Sequence, residues 1–301
     1  MVAQLPNQVI TEMAQRSQRL HHWLFHMVRN NWLFYDTETQ NTLRDLGWEP
    51  PRPAIRSDST RPSGWSPILD NFSGEDFLYM HREMIRNVNQ ILIQAQDPQY
   101  PKIEGWEQIP RIDDVDYPVP PSWIPNVEQI KSNDAFQNYF IPLERRFTDP
   151  NYLSTITLGR MGAEIEFSIH NSMHIRWASE PSGNRPEVDA TNPELIDTIW
   201  DHPSYDFLGD TYSSHVNPIF WKLHGWIDKR IEDWKNAHGI TGEIQWTGTW
   251  VGHMHGHETP PLMLKELSVP KKDQDANLLK VLKGIEGKNK INDLPIINPF
   301  S

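Results

Sequence analysis

Residues 162–177, GAEIEFSIHNSMHIRW, read together with residues 208–234, LGDTYSSHVNPIFWKLHGWIDKRIEDW, decide the fold. In the first stretch His170 and His174 stand four residues apart. On a helix that spacing puts both imidazoles on one face, about one turn apart. In the second, Pro218 is compatible with a helix's first turn and Gly239 lies just beyond the expected end. His224 on that helix offers a third imidazole. The chain has no cysteine, so an all-nitrogen site of this kind suits copper, zinc or non-haem iron. The plainer reading of the same residues is two helices with exposed or core histidines, and 13 histidines in one chain raise the chance of accidental pairs.

Working outward, apolar residues recur at helical spacing in three other places. Val9, Met13, Leu20, Trp23, Leu24, Met27 and Val28 predict one long helix over 8–35. Phe77, Leu78, Met80, Met84, Ile85, Val88, Ile91 and Leu92 predict a second within 70–96. The quoted stretches add helices over roughly 160–178 and 217–236, and Leu278, Leu279, Val281, Leu282 and Ile285 suggest a small one near the end. Residues 50–67 and the proline-rich 97–125 read as loops. Residues 136–153 read as a short helix or an irregular segment, and 184–210 as a loop with a short helix near 193–200. No internal repeat is visible. The expected fold is mainly α: a central four-helix bundle carrying the metal site, with long irregular loops and little sheet. The expected division is a main domain over 1–262 and a C-terminal tail or lid over 263–301.

Composition narrows the function. The 301 residues carry a net charge of −12 with no basic run, which disfavours nucleic-acid binding through phosphates. The 37% apolar content is modest, and 13 tryptophans and 11 phenylalanines compensate through the large area each buries. No apolar run approaches the roughly 20 residues that span a bilayer, so no membrane partner is expected. The polar N-terminus, MVAQLPNQVITEMAQRSQRL, lacks the apolar core of a secretory signal. With the absence of cysteine, this points to a cytoplasmic protein.

The two quoted stretches resemble the second copper-binding region of the tyrosinase, catechol oxidase and hemocyanin superfamily, the type-3 copper proteins. That family carries a His-x-x-x-His helix, then an Asp-Pro-x-Phe-x-x-His-His-x-x-x-Asp-x-x-Trp segment. Here Asn217-Pro218-Ile219-Phe220 matches its start. His224 falls on the second histidine of the pair, four residues before Asp228, and Leu223 replaces the first. The resemblance implies that His170, His174 and His224 are copper ligands and that Asp228 anchors its helix. It further implies that Glu166 and Asn171 act in catalysis by holding a water that takes the phenol proton. The alternative for that pair is a salt bridge and a turn cap. His215 falls near the family's substrate gate and is not counted as a ligand. Met161, Met173 and Met254 are read as packing.

The first copper-binding region matches less well. GEDFLYMHREMI, with His81-Arg82, is similar to the family's Phe-Leu-x-x-His-Arg helix, but Phe72 and Ser73 stand where another ligand is expected. Three readings stay open. His22 and His26, an i, i+4 pair, complete a site with His81; the first site is absent; or His253, His255 and His257 in GHMHGHETPP supply it. The resemblance implies a copper-dependent oxidoreductase that uses O2 on a phenol, catechol or aminophenol, or on a tyrosyl unit, with two coppers if the first site is intact and one otherwise. Alternatives are a mononuclear metal oxidase built on His170, His174 and His224, a non-enzymic metal or O2 binder, and, more distantly, a zinc hydrolase. The oligomeric state is open.

Overall fold

The structure, a computed structural model, describes residues 5–180, 196–252, 271–291 and 294–295. Helices dominate: α1 (Asn7–Met13), α2 (Arg16–Asn31), α3 (Thr37–Asp45), α4 (Ser73–Ala95), α5 (Pro125–Lys131), α6 (Asn133–Ala135), α7 (Ile141–Thr148), α8 (Pro150–Leu153), α9 (Leu158–Ile165), α10 (Asn171–Trp177), α11 (Pro218–Ala237) and α12 (Lys271–Ile285). The sheet among the described residues is one antiparallel ribbon, β1 (Ile55–Ser57) against β2 (Trp65–Pro67), with Ile55 opposite Pro67. The mainly helical class with little sheet is as expected. No helix among the described residues is long and apolar enough to cross a membrane.

Each site-bearing helix forms for local reasons. In α4, Phe77, Met80, Met84, Val88 and Leu92 line one buried face. Glu75 and Asp76 lie in its first turn, where the amide dipoles favour anions. The same carboxylates also tie in a distant strap. Glu75 accepts from the amides of Thr247 and Gly248, and Asp76 accepts from Trp250 and from both arms of Arg52. In α11 the Asn217 side chain accepts the Ile219 amide at 2.9 Å, and Pro218 takes the first turn. Arg82 on α4 reaches Asp228 at 2.6 Å and Glu232 at 2.9 Å, so Asp228 does anchor α11.

Helix α4 lies directly against α9 because glycine faces glycine. A Cβ at Gly162 would sit 2.2 Å from the Gly74 carbonyl oxygen, and one at Gly74 would sit 2.1 Å from the Ala163 amide nitrogen. This close approach sets the distance between His81 on α4 and the histidines that follow α9. Gly162→Ala is therefore expected to lower stability by about 1–3 kcal/mol or more by overpacking, and to reduce metal uptake in the same protein. Thermal melting and elemental analysis check both.

Three expectations are corrected. The helix expected over 8–35 breaks at Ala14–Gln15, where Gln15 is extended. The buried Arg19 guanidinium takes the Ala14 carbonyl at 2.9 Å, and α2 starts afresh at Arg16. The loop expected over 50–67 contains the β-ribbon. The helix expected over 160–178 is continuous but not uniform: a π-helical turn, Glu166–His170, joins α9 to α10, as is frequent at functional sites. Residues 136–153, left open by the sequence, are helical, with a π turn at Phe136–Phe140 leading into α7 and α8. The short helix near 193–200 is a 3-10 turn, Thr198–Asp201, in its described part.

The terminal helix exists as expected and packs on α2 and α3. Beyond it the chain is tied to the buried Asn31. The Asn31 Oδ1 accepts the amides of Lys290 and Ile291, and its Nδ2 donates to the Ile291 carbonyl.

Candidate metal centre

Four helical segments bring six imidazoles together. Helix α2 supplies His22 and His26, α4 supplies His81, the π turn and α10 supply His170 and His174, and α11 supplies His224. All six are buried, at 1–2% exposure. Ring centroids within the set His22, His26 and His81 are 5.1, 5.5 and 5.4 Å apart. Those within His170, His174 and His224 are 4.6, 5.0 and 5.3 Å apart. The two sets touch: His81 stacks on His224 at 4.4 Å, lies 5.8 Å from His170, and His26 lies 6.3 Å from His170. The ligand atoms of His22, His26 and His81 fall within 4.8 Å of one another, and so do those of His81, His170 and His224. These histidine groups can hold a metal ion.

The sequence pattern behind this is a repetition at the level of motifs, where no repeat was expected. Each half has a His-x-x-x-His helix, His22/His26 and His170/His174, and a Phe-x-x-x-His helix, Phe77/His81 and Phe220/His224. In the second type the histidine Nδ1 donates to the carbonyl one turn back: His81 to Phe77 at 2.9 Å and His224 to Phe220 at 2.8 Å. The matched Phe-x-x-x-His pair is the signal by which the sequence could have singled out His81 and His224 together.

These bonds settle the tautomers. A carbonyl oxygen only accepts, so Nδ1 carries the hydrogen in His81 and His224, and likewise in His22, which donates to Thr211 at 2.7 Å, and His174, which donates to Leu208 at 2.9 Å. For His170 the partner is the Asn171 Oδ1 at 2.8 Å. The Asn171 Nδ2 donates to the Pro295 carbonyl at 2.7 Å, which fixes the amide orientation and makes His170 the donor. Nε2 is thus left as a bare lone pair on each. Carbonyl-pinned Nδ1 atoms of this type orient metal-binding imidazoles elsewhere.

The donor set fits a cation. The Nε2 atoms of His22 and His81 are buried with no hydrogen-bond partner. The Nε2 atoms of His170 and His224 lie 3.1 Å apart; with both Nδ1 atoms protonated, two lone pairs face each other. A proton between them is opposed by burial, which together with the neighbouring rings pushes His22, His81, His170 and His224 well below the ordinary histidine range. A metal ion satisfies those lone pairs without adding a proton, and neutral imidazole is the binding form. Phenylalanines wall the cluster: Phe220 stacks on His224 at 3.7 Å, Phe77 lies 4.6 Å from His81 and 4.9 Å from His170, and Phe25 meets His26 edge-on at 5.2 Å.

Of the other expected site residues, Asn171 sits between His170 and the C-terminal chain, as above. Glu166 is buried and faces α2, where Arg29 binds it with both arms, at 2.7 and 3.1 Å. Burial alone would raise its carboxyl, but the Arg29 charge and the His26 ring outweigh burial and hold it below the usual carboxylate range. Met161 and Met173 are core residues. His253, Met254, His255 and His257 lie outside the described residues.

Sequence reading missed Arg29, the carbonyls of Thr211 and Leu208, and the part played by His215. His215 Nε2 donates to the Met13 carbonyl at 3.0 Å, which leaves its Nδ1 to accept from His22 at 3.2 Å. Burial lowers His215 to about 3, so it stays a neutral acceptor. No motif marks these partners: the carbonyls and His215 come from turns that only folding brings to α2 and α10, and Arg29, on α2 itself, meets Glu166 only once the helices pack.

No family model matches this chain, and comparison with curated proteins finds none similar to it.

Proposed function

We propose that the cluster holds two copper ions, one on His22, His26 and His81 and one on His170, His174 and His224. On this reading the protein is a copper oxidoreductase that uses O2 to hydroxylate or oxidise a phenol, catechol or aminophenol-type substrate. The observation that carries it is the set of six buried neutral imidazoles in two touching triads. Imidazole serves copper across its redox states, and two-metal sites commonly place their ions roughly 3.5–4 Å apart. Supporting it is the likeness of residues 162–177 and 208–234 to the second copper-binding region of the type-3 copper proteins.

When bound, such a pair of coppers supplies two electrons for the reduction of O2. The chain's own residues do the rest. The pinned Nδ1 atoms keep each Nε2 aimed inward without reorganisation. Phe25, Phe77 and Phe220 exclude water around the triads. The depressed basicity of the rings keeps them unprotonated at neutral pH. The burial of all six rings also favours a second reading, a metal or O2 binder without a bulky substrate.

Protein purified with added copper is expected to carry two ions per chain, and His81→Ala to carry one. The copper-loaded protein should consume O2 when given a catechol or an o-aminophenol. Zero copper in the wild-type chain, or two in His81→Ala, would overturn the two-ion assignment. Two coppers without O2 consumption on any phenolic would select the binder.

A further inference from the structure

Five of the six Nδ1 atoms meet neutral oxygens, but His26 is different. Its Nδ1 faces the Glu166 carboxylate, 3.6 Å from Oε1, with both residues at 1–2% exposure. Glu166 belongs to the π turn that also carries His170. Arg29, which grips the carboxylate, lies on α2 one turn beyond His26 and also donates to the Ser73 carbonyl at 2.8 Å, at the start of α4. One carboxylate therefore spans the helices that carry both triads.

We infer that Glu166 is a positioning residue that acts through His26 and makes the ion on His22, His26 and His81 the more tightly held of the two. A carboxylate facing the Nδ1–H of a ligand imidazole fixes the ring and makes its Nε2 a stronger donor. Arg29 holds the carboxylate ionised and oriented, with both oxygens engaged. Glu166 and His170 stand at the two ends of one π turn, so the same short segment meets His26 through a carboxylate and supplies a ring to the other triad. This inference rests on the two-copper reading and adds to it a difference between the ions.

The test is copper(II) titration of the full chain against a competing chelator, followed by electron paramagnetic resonance. Two nearby coupled copper(II) ions cancel each other's signal, whereas a lone ion shows. Wild-type protein is expected to bind two ions and to be silent. Glu166→Gln should weaken one binding step 10- to 100-fold and leave the other unchanged, so that the gap between the two steps seen in wild type narrows or reverses. His26→Ala should weaken the same step, and adding Glu166→Gln to it should change little more. The pair Arg29→Met with Glu166→Met removes both charges together, so no charge is left buried alone. It should reproduce the selective loss with an unchanged circular dichroism spectrum. Two unchanged steps in Glu166→Gln, or two equally weakened ones, would overturn the inference while leaving the two-copper reading intact. A wild-type chain that takes up no copper overturns both.

Discussion

Metal-free protein is expected to lose stability steeply as the pH falls below about 6.5, and copper to protect it. His22, His81, His170 and His224 are held well below the ordinary histidine range by burial and by one another, and His215 is lowered to about 3. In the unfolded chain each regains a pKa near 6.5. Between the two values the unfolded state binds more protons than the folded one, so stability rises with pH there and falls with acidification. The contribution is complete above about 6.5 and shrinks toward the folded values. Each such imidazole costs on the order of 1.4 kcal/mol per pH unit, and five acting together exceed the margin of an ordinary domain within a few units. On the two-copper reading proposed above, copper would bind only the neutral rings of the folded state and so shift the transition to lower pH by mass action. Urea melts at pH 7.5, 6.5 and 5.5, with and without copper, measure this. A metal-free protein equally stable at all three would remove the argument for a cluster of buried neutral rings.

The second large effect is expected at a residue that touches no ligand. Arg19 is fully buried and donates to the carbonyls of Ala14, Tyr205 and His202 at 2.9, 2.9 and 3.0 Å. It clamps the 202–212 turn against the break between α1 and α2. That turn presents the Leu208 and Thr211 carbonyls to His174 and His22. Arg19→Met strips the donor from the Ala14 and Tyr205 carbonyls, each at a cost of about 1–3 kcal/mol when buried, and one of two donors from the His202 carbonyl, which keeps the Tyr205 amide. The summed loss should be on the order of 3 kcal/mol or more. Because the turn orients one ring of each triad, copper affinity should fall for both ions, unlike the selective loss expected from Glu166→Gln. Denaturant melts and chelator competition on the same variant separate the two consequences. A stable Arg19→Met with full affinity for both ions would show that the turn holds its place without the clamp.

The elements were legible where apolar spacing ran long. The helices containing His81, His170 and His224 lie where the sequence put them, within a few residues. The boundaries failed where a buried polar side chain or a change of helical pitch intervened. The break before α2 follows from Arg19 capturing the Ala14 carbonyl across the bend, and the π turn follows no propensity that a helical repeat displays. His22 with His26 and His170 with His174 were legible as i, i+4 pairs that share a helix face, whereas His81 and His224 stood out only through the resemblance to the copper-binding regions. Which of the three readings of the first region applied could not be judged from spacing, since His22 and His81 are far apart along the chain and meet only when α2 and α4 pack side by side. The third reading, through His253, His255 and His257, falls on residues outside those described.

By itself the sequence narrowed the donor type: the absence of cysteine removed thiolate, and histidines at helical spacing offered nitrogen. Tertiary structure decided the rest. It brought α2 against the other three helices, pinned each ring through carbonyls of distant turns, and turned Glu166 toward Arg29 and His26. The physical reason is that periodicity encodes which face of a helix is buried, whereas the partner of a buried polar atom is set by the packing of elements remote in sequence.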